Sequence, residues 1–298
     1  MRLLDPKSDV VFKLLFAAPR HESLLIAFLT DVLCPLKDIV SAKVLNPDIP
    51  KEFTTEKEII LDVRATLSDG CIVDIEMQAR RKPAFRERLL YYWARAFGAQ
   101  LEISEGYQSV APCLGIYVLD FRDLQGQNFH SIFTLCNHET GEVFSHALEM
   151  HFLELPKLRP DTAMDPAWYW GRFFRVRSQR ELEELAMKSP TMKQASEALW
   201  WVSNDPNSRQ LAEMRELSER AHRHTIAAAR KEGHEQGRLE GHEQARLEGL
   251  RDHVGALARL LDIELSPAER QRVAQMAPDE LRELAETLIR DRRWPEQA

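Results

Sequence analysis

Residues 58–78, EIILDVRATLSDGCIVDIEMQ, decide the fold. Two runs of alternating apolar and polar residues flank Ser68-Asp69-Gly70, the pattern of a β-hairpin with one face buried. Two registers compete. A two-residue Asp69-Gly70 turn sets Ser68 against Cys71 and Asp62 against Met77, mixing polar with apolar partners along the ladder. A three-residue loop with Gly70 left-handed sets Leu67 against Cys71 instead. Leu61, Val63, Ala65 and Leu67 then share a face with Met77, Ile75, Val73 and Cys71. A slip of one residue inverts every side chain, so burial selects the second register.

That register carries chemistry. On the opposite face Arg64 meets Asp74, a neutralised pair. Asp62 meets Glu76, with their Cβ atoms about 5 Å apart. Carboxylates that close repel, so one takes up a proton or a cation lies between them. Gln78 follows Glu76 on the same face, about 7 Å along the strand. Two acidic groups, the Met77 main-chain carbonyl and water form an all-oxygen set suited to Mg²⁺, a hard ion that keeps several waters. The same pattern also reads as two carboxylates on a solvated sheet face, each with a loose arginine.

Outward from the hairpin, apolar residues at helical spacing over 10–33 predict two helices broken near Ala18-Pro19, with Pro6 after Asp5 as a helix start. Residues 39–45 predict a short strand. Phe85, Leu89, Trp93, Phe97 and Leu101 recur every four residues and mark an amphipathic helix. The apolar run 114–121 reads as a strand covered on both faces, and 129–135 and 143–153 as further strands. A helix crossing between two strands implies an α/β sheet with at least one parallel pair.

Beyond Leu155 the chain changes character. Pro156, Pro160 and Pro166 punctuate a connector, and the rest reads as helix, with starts at Ser189-Pro190 and Asp205-Pro206. From Pro206 to about His253 no strong terminator appears, enough for a helix of about 70 Å at 1.5 Å per residue. It contains the repeat GHEQGRLE (233–240) and GHEQARLE (241–248). Gly233, Gly237, Gly241, Ala245 and Gly249 form a ridge of small side chains, each glycine costing ~1 kcal/mol in a helix interior. Such a helix either pairs with a partner, as in a homo-oligomer, or is a mobile arm. Ser266-Pro267-Ala268-Glu269 fits a capping box, and Leu281, Leu284, Ala285 and Leu288 a small amphipathic helix. The expected organisation is a core over 1–155, a connector with packed helices over 156–205, the long helix over 206–253 and a small helical segment over 254–298.

Composition bounds the function. The chain has 298 residues, 44% hydrophobic and 29% charged, enough for a large core and against wholesale disorder. No apolar run approaches the ~18 residues of a membrane span, and no secretory apolar region precedes Asp5 and Lys7. The cysteines Cys34, Cys71, Cys113 and Cys136 stand far apart and read as buried thiols of a cytoplasmic protein. A net charge of −7 argues against a nonspecific nucleic-acid coat but leaves room for a locally basic groove. Arg80, Arg81, Lys82, Arg86, Arg88 and Arg95 are the most basic run of the first half. Arg88, Tyr91 and Arg95 fall opposite the Phe85/Trp93/Phe97 stripe, where they either meet phosphates or simply cover a solvated face. Arg172, Arg175, Arg177 and Arg180 form a second basic group with the same two readings. Asp9 and Lys13 are spaced for a local ion pair, and Asp120 reads as a turn initiator.

An aspartate, a hairpin and then Glu-x-Gln on the next strand resembles the PD-(D/E)XK nuclease core. The wider sequence resembles the recombination-promoting nuclease/putative transposase family. Leu4-Asp5-Pro6-Lys7, Asp9-Val10-Val11-Phe12-Lys13, Leu15-Phe16, Val44-Leu45-Asn46-Pro47, Leu61-Asp62-Val63, Asp74-Ile75-Glu76-Met77-Gln78, Tyr91-Tyr92-Trp93 and Leu119-Asp120-Phe121 match its landmarks in order. The resemblance implies a restriction-endonuclease-like mixed sheet flanked by helices, followed by an all-helical region. It implies a metal-dependent DNA endonuclease, transposase-like and linked to recombination or DNA mobility, using Mg²⁺ or another divalent cation. Asp62, Glu76 and the Met77 carbonyl would hold the metal, Gln78 would complete the catalytic set, and Arg80, Arg88 and Arg95 would contact DNA. Leu61 replaces the superfamily's proline, and Gln78 its lysine, which removes a charge. The rival reading is a catalytically weak or inactive DNA- or protein-binding module that oligomerises through its C-terminal helix.

Overall fold

The computed structural model describes residues 2–34, 39–45, 63–101, 106–160 and 165–295. Two compact units divide the chain, residues 1–218 and 219–298. The first is built on a mixed six-stranded sheet of order β1-β2-β3-β4-β6-β5. Its strands are β1 (Ala42–Val44), β2 (Val63–Leu67), β3 (Ile72–Gln78), β4 (Cys113–Leu119), β5 (His130–Cys136) and β6 (Val143–Glu154). Helix α3 (Phe85–Gly98) crosses from β3 to β4, and β3, β4 and β6 run parallel. The outer pairs β1–β2, β2–β3 and β5–β6 are antiparallel. This is the α/β class expected from one helical period set between two strand periods.

Each sheet face has its own helical cover. Val63, Ala65, Val73, Ile75, Ile116, Val118 and Leu153 point to one side. There they meet α1 (Asp9–Phe16), α2 (Glu22–Leu33), α4 (Pro166–Phe174), α5 (Gln179–Ala186) and α6 (Pro190–Asn204). Phe12, Phe16, Phe28, Trp170 and Phe174 form the aromatic centre of this layer, with neighbouring ring centroids 4.8–6.4 Å apart. The buried Trp170 indole donates to Asp31 Oδ2 at 2.8 Å, satisfying the one polar group it brings inside. The other face is thinner: Phe85 and Leu89 of α3 cover Tyr117, Leu119, Leu148, Met150 and Phe152.

Local signals predict most of these elements. The break at Ala18-Pro19 separates α1 from α2, and Ser189 and Ser266 cap helices with their side chains, Ser266 in a reciprocal capping box with Glu269. Pro6 does not begin α1. Asp5 instead closes a turn, its carboxylate accepting from Lys7 N at 2.9 Å and its carbonyl from Ser8 N at 3.0 Å, so the helix starts at Asp9. The cysteines also differ from expectation. Cys71 and Cys113 are buried, and burial pushes their thiols up to about 12 and about 11. Cys34, just past the end of α2, and Cys136, ending the edge strand β5, are exposed.

Helix α7 (Pro206–Leu260) is a single 55-residue helix that includes the repeat. In the second unit Val254 packs with Val273 of α8 (Pro267–Gln275) and with Leu281, Leu284, Ala285 and Leu288 of α9 (Pro278–Asp291). Among the described residues no helix is long and apolar enough to cross a membrane.

A histidine pair, His151 buried and His130 half-buried, links β5 and β6. His130 Nε2 and His151 Nδ1 are 3.0 Å apart, so one nitrogen donates and the other accepts. Asp165, which caps α4, stands 3.7 Å from His130, and Glu149 stands 3.5 Å from His151. Burial first, and then the neighbouring His130, push His151 down to about 4 from 6.5. A histidine held neutral in the fold contributes stability that is present above its unfolded value and lost as pH falls toward the folded one. Thermal unfolding between pH 7.5 and pH 4.5 should therefore cost wild type on the order of 2–3 kcal/mol through this group, and His151→Gln correspondingly less. Equal losses in the two proteins would refute it.

Candidate active site

The site begins with the hairpin. Leu67 N donates to Cys71 O at 2.8 Å, Gly70 N donates to Leu67 O at 3.0 Å, and Cys71 N donates to Asp69 Oδ1 at 3.0 Å. Gly70 has φ +84°, the left-handed conformation that closes a three-residue loop. The ladder follows from it: Thr66 pairs with Ile72, Ala65 with Val73, Arg64 with Asp74 and Val63 with Ile75. This is the register that burial selects from sequence. Asp62, the first expected ligand, lies outside the described residues.

Alternation then places Asp74, Glu76 and Gln78 on the face of β3 opposite the large core. Arg64 Nη2 donates to Asp74 Oδ2 at 2.9 Å. Burial raises the Asp74 carboxyl, and the Arg64 guanidinium opposes that shift. Glu76 is only 2% exposed and sits beside Tyr117 of the parallel strand. Gln78 Nε2 donates to Glu76 Oε2 at 3.0 Å. The glutamine at the lysine position thus turns its amide onto the neighbouring carboxylate and fixes its orientation without neutralising it.

The main chain adds an oxygen. Ile72 N donates to Pro112 O and Asp120 N donates to Gln78 O, so even-numbered residues of β3 spend both backbone groups on β4. The Met77 carbonyl consequently faces the β2 side of the strand. A buried carboxylate and a carbonyl beside it are hard oxygen donors of the kind Mg²⁺ takes. The described residues thus supply one carboxylate and one carbonyl of the kind a divalent cation would take. Among the described residues no three His, Cys, Asp or Glu side chains converge as a metal cluster, at this site or any other.

The sheet's carboxyl edge is tied down by contacts the sequence did not announce. Lys7 Nζ pairs with Asp120 at 2.7 Å, bringing the N-terminal segment beside the end of β4, so Asp120 acts as an ion-pair partner and not simply as a turn initiator. The buried Glu154 carboxylate accepts from Asp123 N at 2.6 Å and Leu124 N at 3.1 Å, and it also binds Lys157. Asp123 in turn pairs with Arg81 and Arg86, each at 2.7 Å. Asp9 reaches Arg215 of α7, a partner far along the chain. Of the three arginines expected at DNA, Arg80 and Arg95 are exposed and Arg88 is half-buried.

The carboxylate-bearing hairpin is thus joined through a helical crossover to a parallel strand of an α/β sheet. A family model described as PD-(D/E)XK nuclease family transposase matches residues 6–229. The chain belongs to that family, whose membership implies a nuclease hydrolase that works with divalent metal ions. No curated protein and no solved structure matches it.

Because the hairpin loop sets the register, Gly70 is its sensitive point. A Cβ there would meet Ala111 Cβ at an ordinary 3.8 Å, so the cost of substitution is backbone strain alone. Gly70→Ala should lower unfolding free energy by about 1–2 kcal/mol in denaturant titration. Gly70→Asn should cost less, since asparagine tolerates the left-handed region. No difference between alanine and wild type would contradict the strain argument.

Proposed function

We propose that the protein is a Mg²⁺-dependent DNA endonuclease of the transposase-like kind, hydrolysing phosphodiester bonds during recombination or DNA mobility in the cytoplasm. The observation that carries this reading is the buried Glu76 carboxylate held by the Gln78 amide at the end of a parallel strand. Asp62, which lies outside the described residues, is its proposed companion, the partner that the sequence pattern alone gives Glu76. Asp62, Glu76 and the Met77 carbonyl would hold the cation, which when bound lowers the pKa of water and polarises the phosphate.

The chain's own residues have distinct tasks in this scheme. Glu76 brings a buried carboxylate whose oxygens are hard donors for a cation. Gln78 keeps that carboxylate in one orientation and retains a second amide hydrogen for a phosphate oxygen or water. Arg80 and Arg95, exposed on either side of the first α3 turns, would contact the DNA backbone, and the half-buried Arg88 would support them.

Supercoiled plasmid incubated with and without Mg²⁺ tests the proposal. Wild type should nick or linearise it only with metal. Asp62→Ala and Glu76→Ala should each lose more than the roughly 10–100-fold typical of removing a residue hydrogen-bonded behind a metal ligand. Gln78→Lys should retain or raise activity. Cleavage that survives both alanine substitutions would overturn the assignment.

One observation favours a second role alongside the first. Every residue of α7 from 219 to 246 is exposed, and isolated polar helices rich in glycine are marginal in water. Self-association through the 206–253 helix would cover that surface. Sedimentation equilibrium of the full chain should reveal an oligomer, and a strictly monomeric protein at high micromolar concentration would remove this role.

A further inference from the structure

After β6 the chain builds a second charged feature away from Glu76. A cleft of about 530 Å³ lies between the segment following β6 and helices α4 and α5. Five cationic side chains line it: Arg159, Arg172, Arg175, Arg177 and Lys188. Of its two acidic residues, Glu184 pairs with Arg180 at 2.9 Å and Glu181 accepts from the Arg177 main-chain N at 2.8 Å, so cations outnumber carboxylates five to two around the cleft. Among the described residues Arg172, Arg175, Arg177 and Lys188 form no ion pair. In a chain of net charge −7, such a concentration of cations marks a site for an anion.

Two further features say which anion. The half-buried Trp168 indole is part of the wall, with the Arg172 guanidinium 5.6 Å from its ring centroid, and Leu158, Val176 and Leu185 add apolar surface. Cations that track a backbone beside an aromatic ring suit a strand carrying both phosphates and bases. Position agrees. Gln78, Leu119 and Glu154 are in register across β3, β4 and β6, so all three strands end at one sheet edge. Arg175 Nη1 donates to Leu155 O at 3.4 Å, fixing the cleft just beyond that edge. The ends of β3 and β6 are two strand spacings apart, about 10 Å, with the cleft on the sheet face that α4 and α5 cover and Glu76 on the other.

We propose that this cleft binds the phosphodiester backbone of a nucleic-acid strand, with a base against Trp168, as a docking site separate from the scissile position. It rests on the nuclease reading only in its choice of ligand. The cleft holds the strand without metal, through Arg172, Arg177 and Lys188 at phosphates.

Fluorescence anisotropy of a labelled 16-nucleotide single strand, in EDTA, tests it on the full chain. Wild type should bind without metal. Arg172→Glu/Arg177→Glu/Lys188→Glu should bind at least ~10-fold more weakly, and its log affinity against log salt should be shallower by about 2, at roughly 0.7 per lost phosphate contact. Trp168→Ala should weaken binding while keeping the salt slope. The single variants Arg177→Gln and Lys188→Gln, at exposed positions, should each show a smaller loss and guard against misfolding of the triple variant.

Wild-type affinity in the triple variant would overturn the proposal. So would a poly-glutamate peptide of equal charge, or a free deoxymononucleotide, competing as well as unlabelled oligonucleotide. Plasmid cleavage keeps the two readings distinguishable. Unimpaired cutting by Glu76→Ala would remove the catalytic assignment and leave the binding result standing, whereas unchanged binding in the triple variant would remove only the cleft.

Discussion

The left-handed turn at Gly70 is the constraint on which the rest depends. It closes a three-residue loop, and that loop length fixes which residues of β2 and β3 face each other. Burial supplies the other half of the constraint. Val63, Ala65, Val73 and Ile75 enter a core that already holds Phe12, Phe16 and Trp170. A slip of one position would drive Arg64, Asp74 and Glu76 into that apolar layer, where unpaired charges cost several kcal/mol each. The hydrophobic face therefore determines the polar one. The acidic face does not have to specify itself, and it is free to carry groups chosen for chemistry.

That freedom is bounded by the ionic ties at the carboxyl edge. Glu154 is fully buried, yet its charge is met by Lys157 and two main-chain N–H groups. Buried pairs of this kind add little net stability against apolar substitutes, but they hold particular segments in particular places. Here they fix the segment after β4 against the end of β6. Asp123 extends the tie to Arg81 and Arg86 after β3, and Asp120 extends it to Lys7. Loops from three parallel strands and the N-terminal segment are thereby gathered at the edge where β3 ends, with Glu76 and Gln78. In open sheets this edge is where ligands bind, because helices cover the faces and leave the strand ends reachable.

What was legible in the sequence was what local chemistry controls. The hairpin register follows from alternation and one glycine, the crossover from a four-residue aromatic spacing, and the cap at Ser266 from four consecutive residues. Pairings set by tertiary approach were not legible. Asp9 is one helical turn from Lys13 yet reaches Arg215, and Asp120 reads as a turn residue yet binds Lys7. The His130–His151 contact depends on β5 lying at the sheet edge beside β6, an order that no periodicity announces. Cys34 and Cys136 were expected inside because cysteine behaves as a small hydrophobe. Their exposure follows from standing at element ends, where the chain turns toward solvent. That Glu76, Met77 and Gln78 share one short strand was legible from alternation, whereas the Gln78–Glu76 hydrogen bond emerges only from side-chain geometry.

Charge counting along the chain misjudges where the protein can meet an anion. The run from Arg80 to Arg95 is the densest in the first half, but Arg81 and Arg86 are committed to Asp123 and Arg88 is half-buried, leaving a thinner field than the sequence suggests. The group near Arg172 has fewer cations in sequence but gains others in space. Arg159 and Lys188, from outside the run, join Arg172, Arg175 and Arg177 around one cleft, while Arg180 turns to Glu184 and leaves it. Helical spacing explains the sorting. Arg172 and Arg175 are three apart at the end of α4 and share a side, while Arg180 has an acidic partner four residues on in α5. A net negative protein can thus still gather cations in one place, and local field, not overall charge, governs the approach of a polyanion.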